Sequence, residues 1–181
     1  DRSSTDRVWV VDPLDGTREF AEPPRTDWAV HVALAEGGRP TVGAVALPGM
    51  GLTLSTAAPP TSSALPPIPT RPRIVVSRTR PAAKALAVAD ALGADLVQMG
   101  SAGAKAMAVV RGEADAYVHT GGQHEWDSCA PVAVALAAGL HATRVDGSPL
   151  EYNRPDPYLP DLIICRPELA GRILTALASL A

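Results

Sequence analysis

The sequence predicts an α/β fold of stacked sheet and helix layers, and three features carry that prediction. Short apolar runs that end at Asp, Gly or Pro alternate, through the second half, with Ala- and Leu-rich stretches of helical length. Two neighbouring runs in the first half, DWAVHVALA and RPTVGAVAL, are separated only by Glu36-Gly37-Gly38, a hairpin connection. The 181 residues are 46% hydrophobic, the composition of a chain that buries a core.

Taken in order, Val8 to Val11 is a continuous apolar run closed by Asp12-Pro13, a buried strand whose C-terminal end carries Asp12. Residues 27–35 and 39–47 are the two strands of the hairpin. His31, between Val30 and Val32, is expected on the alternate, half-exposed face. Residues 57–72 hold six prolines, which exclude a helix or a central strand and predict a surface loop. That loop divides residues 1–56 from residues 73–181. In the second part, Arg73 to Ser77 reads as a strand, and Pro81 opens a helix that Gly93 closes. Asp95 to Met99 is a strand, and Ser101 caps a helix running to about Val110. Ala114 to His119 is a strand, and Asp127 opens a helix that Gly139 terminates. Two short strands, 141–145 and 161–165, precede a last amphipathic helix over 168–180.

Net charge is −3, which argues against a nucleic-acid or anionic-membrane surface. Arg, Pro or Gly interrupts every apolar run before it reaches membrane-spanning length. Two cysteines, Cys129 and Cys165, make no disulfide scaffold and fit a reducing cytoplasm. The opening DRSSTDRVWVV carries no signal peptide and reads as a lead into a strand, so the chain is expected to begin inside a longer protein.

The chemistry concentrates in Asp12-Pro13-Leu14-Asp15-Gly16-Thr17, which predicts a strand end, a tight turn and a helix start. Two carboxylates so close repel unless a cation sits between them. Hard oxygen donors suit Mg²⁺, and the turn frees the Leu14 carbonyl as a further ligand. Gly16 permits close approach of the backbone, the amides of Gly16 and Thr17 face an anion, and the Thr17 hydroxyl can orient a water. Far along the chain, Glu125-Trp126-Asp127 opens an apolar helix. Asp127 is there either a helix cap or a third metal carboxylate.

The pair DPLDGT and WD resembles the signature of the inositol monophosphatase-like family of Mg²⁺-dependent, lithium-sensitive phosphatases. That resemblance implies the layered αβαβα sandwich of the family. It implies metal ligation by Asp12, Leu14 (through its carbonyl), Asp15 and Asp127, with Thr17 and Asp15 as catalytic groups. About two or three Mg²⁺ ions per site are implied, with Mn²⁺ as a substitute and Li⁺ or Ca²⁺ as inhibitors.

Within the family, Arg18-Glu19-Phe20, the Ser77-Arg78-Thr79-Arg80 segment, Gly100-Ser101-Ala102-Gly103-Ala104-Lys105 and Leu150-Glu151-Tyr152-Asn153 resemble the CysQ-type branch of 3'(2'),5'-bisphosphate nucleotidases. The branch acts on 3'-phosphoadenosine 5'-phosphate (PAP), and clears a by-product of sulfate assimilation. It implies a substrate-binding set of Gly16, Thr17, Ser77, Arg80, Gly100, Ser101, Lys105 and His119. Lys105 is a point charge, and Arg78 and Arg80 can hold phosphate bidentately. The implied partner is a small phosphate ester, with no nucleic acid and no membrane; family members are often homodimers.

Two features depart from the pattern. Arg80 stands where the branch carries His. The Gly-Glu-Glu segment that supplies a metal-bridging glutamate upstream of DPLDGT is not present, and Asp1 and Asp6 stand too close to the strand to replace it. The resemblance therefore implies a C-terminal portion of a longer protein, without the family's N-terminal helices. PAPS or inositol-1-phosphate as substrate, and an inactive or binding form, remain open alternatives. A nucleophilic-aspartate phosphatase of Asp-x-Asp type is disfavoured by the Asp-x-x-Asp spacing.

Overall fold

The computed structural model describes residues 2–180, so Asp1 lies outside the described residues. The first sheet is an antiparallel meander. Strand β1 (Arg7–Asp15) pairs with β2 (Ala29–Glu36), β2 with β3 (Arg39–Leu47), and β3 with β4 (Leu52–Ser55). The single helical turn α1 (Thr17–Phe20) joins β1 to β2. Gly37 and Gly38 both take positive φ in the β2–β3 turn, which is why two glycines sit there.

The second half supplies β5 (Arg73–Ser77), α2 (Ala83–Leu92), β6 (Asp95–Met99), α3 (Ala102–Val110) and β7 (Ala116–His119). It continues with β8 (Gln123–His124), α4 (Glu125–Ala137), β9 (His141–Thr143), β10 (Tyr158–Leu159), β11 (Leu162–Cys165) and α5 (Pro167–Ala178). A five-stranded sheet forms in the order β6-β5-β7-β11-β9, with β5 parallel to both neighbours and β11 antiparallel to both of its own. Strands β8 and β10 form a separate two-residue ladder at the start of α4.

Helices α3 and α4 fill the space between the sheets. One core cluster joins Ala33 and Val45 of the first sheet, Met107 and Val109 of α3, Val132 of α4, and Tyr117 and Ile164 of the second sheet. Helices α2 and α5 cover the far side, where Val88 and Ile173 pack on Ile74, Val76 and Ile163. Each such side chain contributes about 1.5–3 kcal/mol on burial. Four layers result: sheet, helices, sheet, helices. The first sheet meets the helices through small residues; a Cβ on Gly43 would stand 2.7 Å from the Ala133 Cβ. On its other face Trp9, Val11, Val32 and Val42 are exposed.

The proline-rich segment holds one helical turn, Ser62–Ala64. It is tacked to the end of α4, where Ser62 N donates to the Ala138 carbonyl at 2.8 Å, and Arg166 Nη1 donates to the Pro66 carbonyl at 3.0 Å.

Three local expectations are corrected. The DPLD segment is not a turn: β1 continues through Asp15, and Pro13 is tolerated because β1 is an edge strand. Helix α4 begins at Glu125, so Asp127 is its third residue rather than its cap. His31 is fully buried, not half-exposed, because the small-residue face of β2 is the one that meets the helices.

Candidate active site

Residues three apart on a regular strand point to opposite faces. Asp12 and Asp15 escape that rule. Asp12 pairs with His31 and Asp15 with Ala29, so three steps on β1 oppose two on β2. The extra residue is a β-bulge, and it turns both carboxylates to the inner face. Asp12 is 8% exposed and Asp15 9%. Within the bulge, Leu14 N donates to Asp12 Oδ1 at 3.0 Å.

Asp127 enters from the first turn of α4. Its Oδ2 accepts a hydrogen bond from His124 N at 2.7 Å, half of a capping box with His124 as the N-cap. Ligand oxygens of Asp12, Asp15 and Asp127 then lie within 4.8 Å of one another. Burial raises the pKa of Asp12, and the Asp15 charge adds to it against the Leu14 N–H bond. Burial raises Asp127 likewise, with Asp15 and Asp12 adding to it. Three half-desolvated carboxylates facing each other are a repulsive set that a hard divalent cation relieves, and their all-oxygen chemistry fits such a cation.

Helix α3 fixes one side of this cluster. Asp15 Oδ2 accepts from Ser101 Oγ at 2.5 Å and from Gly103 N at 2.7 Å. Gly16 takes φ +85, and a Cβ there would stand 3.0 Å from the Ser101 Cβ, so only glycine fits both the conformation and the approach. Thr17 follows at the solvent-exposed start of α1. Ser101 itself has φ 50, a strained conformation for a residue with a Cβ. The turn before it is held by Gly100 N, which donates to Asp27 Oδ2 at 2.6 Å.

A cleft of about 410 Å³ opens around Lys105, which feels the charges of Asp15 and Asp127; it is lined by Ser77, Arg80, Lys105, Tyr117, His119 and Gly122 among others. Lys105 is buried on α3. Its Nζ donates to the Ser101 carbonyl at 2.7 Å and lies 5.3 Å from the centre of the Tyr117 ring. Burial lowers its pKa, while the charges of Asp15, Glu19, Asp27 and Asp127 oppose that. His119 Nε2 donates to the Gly122 carbonyl at 2.9 Å, and its Nδ1 accepts from the Tyr117 hydroxyl at 3.1 Å. Burial lowers its pKa, against the Gly122 bond and the Asp161 charge, and so favours the neutral ring.

Of the predicted substrate-binding residues, Ser77, Arg80, Lys105 and His119 line the cleft, whereas Gly16, Thr17, Gly100 and Ser101 lie outside its lining; Ser101 links the two regions by bonding both Asp15 and Lys105. Arg78 does not face the cleft as a spare cation. Its Nε donates to Glu19 Oε1 at 2.6 Å and its Nη2 to Glu22 Oε2 at 2.7 Å. The sequence reading named Glu19 only within a branch-like segment, expected His31 on the half-exposed face, and did not single out Asp27. A Cβ on Gly100 would collide with the Glu19 carboxylate, so Gly100 and Glu19 form an interlocking pair that neither segment reveals alone. His31 was hidden because Val30 and Val32 look like the inward face, and Ala29 and Ala33 do not. Trp126 is 40% exposed and stacks on the His124 ring at 4.5 Å.

The model of the inositol monophosphatase family matches residues 1–180. The chain is 54% identical to a 3'-phosphoadenosine 5'-phosphate phosphatase of Mycobacterium tuberculosis, over 98% of this chain and 68% of that protein. It is 32% identical to the Escherichia coli 3'(2'),5'-bisphosphate nucleotidase CysQ, over 87% of this chain and 67% of that protein. Among solved structures, an inositol monophosphatase from Zymomonas mobilis superposes with a TM-score of 0.77 at 22% identity, over 96% of this chain and 71% of the other. CysQ from Bacteroides thetaiotaomicron, described as a bacterial member of the inositol monophosphatase family, superposes at 0.72 with 25% identity, over 89% and 70%. The chain belongs to the inositol monophosphatase family.

Proposed function

We propose that this chain is a Mg²⁺-dependent phosphomonoesterase that removes the 3'-phosphate of 3'-phosphoadenosine 5'-phosphate. Water is consumed, and AMP and inorganic phosphate are released. The observation that carries this reading is the juxtaposition of two unlike subsites. The carboxylates Asp12, Asp15 and Asp127 lie together, and the cleft linked to them through Ser101 is lined by the cations Lys105 and Arg80. A substrate with two phosphates uses both. A sugar monophosphate leaves the cationic cleft without a dianion to hold. The names of the mycobacterial and enterobacterial relatives support the same choice.

Asp12, Asp15 and Asp127, with the Leu14 carbonyl, would hold Mg²⁺. When bound, it supplies a water of lowered pKa and neutralises charge at the scissile phosphate. The chain's own groups do the positioning. The Thr17 hydroxyl, next to Asp15 and Gly16, orients the attacking water. Gly16 lets the loop approach the phosphate. Ser77, Arg80 and Lys105 receive the 5'-phosphate, and His119 contributes a neutral ring to the same wall. The two free thiols, Cys129 and Cys165, are buried and their pKa is pushed up to about 12 by that burial, so neither is offered as a nucleophile.

Phosphate release from PAP and from inositol-1-phosphate, with and without Mg²⁺, tests the reading in the full-length protein. Mg²⁺-dependent preference for PAP, lost in Asp12→Asn, is the expected result. Preference for inositol-1-phosphate overturns the substrate assignment, and release from neither substrate overturns the enzymatic one.

A further inference from the structure

His31 is the one fully buried histidine among the described residues, and it lies between the two motifs that define the site. On one side its Nδ1 donates to the Trp126 carbonyl at 3.0 Å; a carbonyl only accepts, so this nitrogen carries the hydrogen. On the other side its Nε2 stands 3.4 Å from Asp15 Oδ2 and makes no hydrogen bond. Gly103 closes the third side, since a Cβ there would collide with Nε2. The ring therefore fills the gap between Asp15 on β1 and the peptide immediately before Asp127 on α4.

The three carboxylates come from two layers of the fold. Asp12 and Asp15 belong to the first sheet, and Asp127 belongs to the helix layer. A cation held by all three needs their separation fixed to a few tenths of an ångström. Asp15 is tied to helix α3 by Ser101 and Gly103, but Asp127 stands on a different helix, α4. Across that boundary, His31 contacts both sides: it sits opposite Asp12 in the strand ladder, it approaches Asp15, and it holds the Trp126 carbonyl. We propose that His31 is a positioning residue that sets the spacing between Asp15 and the Trp126–Asp127 turn, and through it the affinity of the carboxylate cluster for a divalent cation. The proposal rests on the metal role given to Asp12, Asp15 and Asp127 above.

The test uses full-length protein without substrate and reads Mn²⁺ binding from the loss of the free-ion electron paramagnetic resonance signal. His31→Asn keeps a donor where Nδ1 lies, for the Trp126 carbonyl, and removes the atom that faces Asp15. His31→Leu fills the volume with neither contact. Gly103→Ala leaves His31 chemically intact and pushes its ring aside. Positioning groups behind metal ligands typically change affinity by about 10–100-fold. Mn²⁺ affinity falling about tenfold in His31→Asn and Gly103→Ala, read at a temperature where both variants are folded, is the expected result, whatever the loss of unfolding temperature that the buried substitutions bring. A merely structural histidine would lower the unfolding temperature and leave affinity alone. Parental affinity in both variants overturns the proposal, and so does a loss seen only in His31→Leu together with a lower unfolding temperature. Asp12→Asn run alongside separates the two readings. If it binds Mn²⁺ as the parent does, the metal role of the cluster fails; if it loses binding while the His31 and Gly103 variants keep it, only the spacing role fails.

Discussion

The Ser101 hydroxyl donates to Asp15 Oδ2 at 2.5 Å while accepting from Ala104 N at 2.9 Å. One atom thus caps helix α3 and orients a carboxylate of the neighbouring sheet. Ser101→Ala removes both functions. The lost cap and the lost bond to a buried carboxylate together are expected to cost about 2 kcal/mol. That corresponds to a fall of about 6 °C in unfolding temperature for a domain of this size, read by calorimetry. Ser101→Thr retains the hydroxyl but places a β-branched side chain at φ 50 in a buried site, so it is expected to recover only part of the loss.

The carboxylate cluster makes an opposite prediction for Asp12. With no cation bound, Asp12, Asp15 and Asp127 repel one another, and burial already holds Asp12 and Asp127 toward their protonated forms. Asp12→Asn is expected to be at least as stable as the parent in metal-free buffer. Excess Mg²⁺ should then raise the parent's unfolding temperature by mass action and leave the variant's nearly unchanged. Activity on PAP is expected to fall at least about 100-fold. A parent whose unfolding temperature ignores Mg²⁺ would contradict the cluster's metal role.

Much of this site was legible in the residues. Two acids, a glycine and a threonine within six positions mark the segment as a candidate cation site, and the structure brings Asp12 and Asp15 together with Asp127. The bulge was not legible. A spacing of three reads as a turn or as opposite strand faces, and only pairing with β2 shows that one residue is extra. The inward face of β2 was also misjudged, because close approach of α3 and α4 selects Ala and His over Val there. Strands β4, β8 and β10 left no signal. At four, two and two residues they are too short for a period, and their partners create them. The first residue of α4 was missed for a related reason: its cap, His124, is set by the β8–β10 ladder rather than by a capping sequence.

Arg78 and Arg80 are two residues apart and are expected to behave differently. Arg78 is engaged by Glu19 and Glu22 of the segment that begins with Thr17, so it acts on the position of that segment. Arg80 lines the cleft. Arg78→Ala is expected to lower kcat for PAP by about tenfold through misplacement of Thr17, with KM changed less than about threefold. Arg80→Ala should raise KM by about tenfold with a smaller effect on kcat. Steady-state kinetics on the two variants checks this, and a KM effect at Arg78 equal to that at Arg80 would return Arg78 to the substrate.

Asp161 carries the clearest pH dependence away from the site. Its Oδ1 and Oδ2 accept from Arg144 Nε and Nη2 at 2.6 and 2.9 Å, and Oδ1 also accepts from Val145 N at 3.0 Å. Burial works to raise its pKa, but the Arg144 and Val145 bonds outweigh burial and leave it below the ordinary value. A folded pKa below the unfolded one means that the stabilisation is complete above the unfolded value, about 3.9, and is lost as pH falls through the folded value. Asp161→Asn keeps the shape, removes the charge and leaves Arg144 short of its partner. The expected cost is about 2 kcal/mol at pH 7. Urea unfolding of parent and variant should therefore show a gap that is constant from neutral pH down to about pH 5 and closes below about pH 4. A gap that persists undiminished in acid would mean that shape, not charge, ties the residues before β11 to the end of β9.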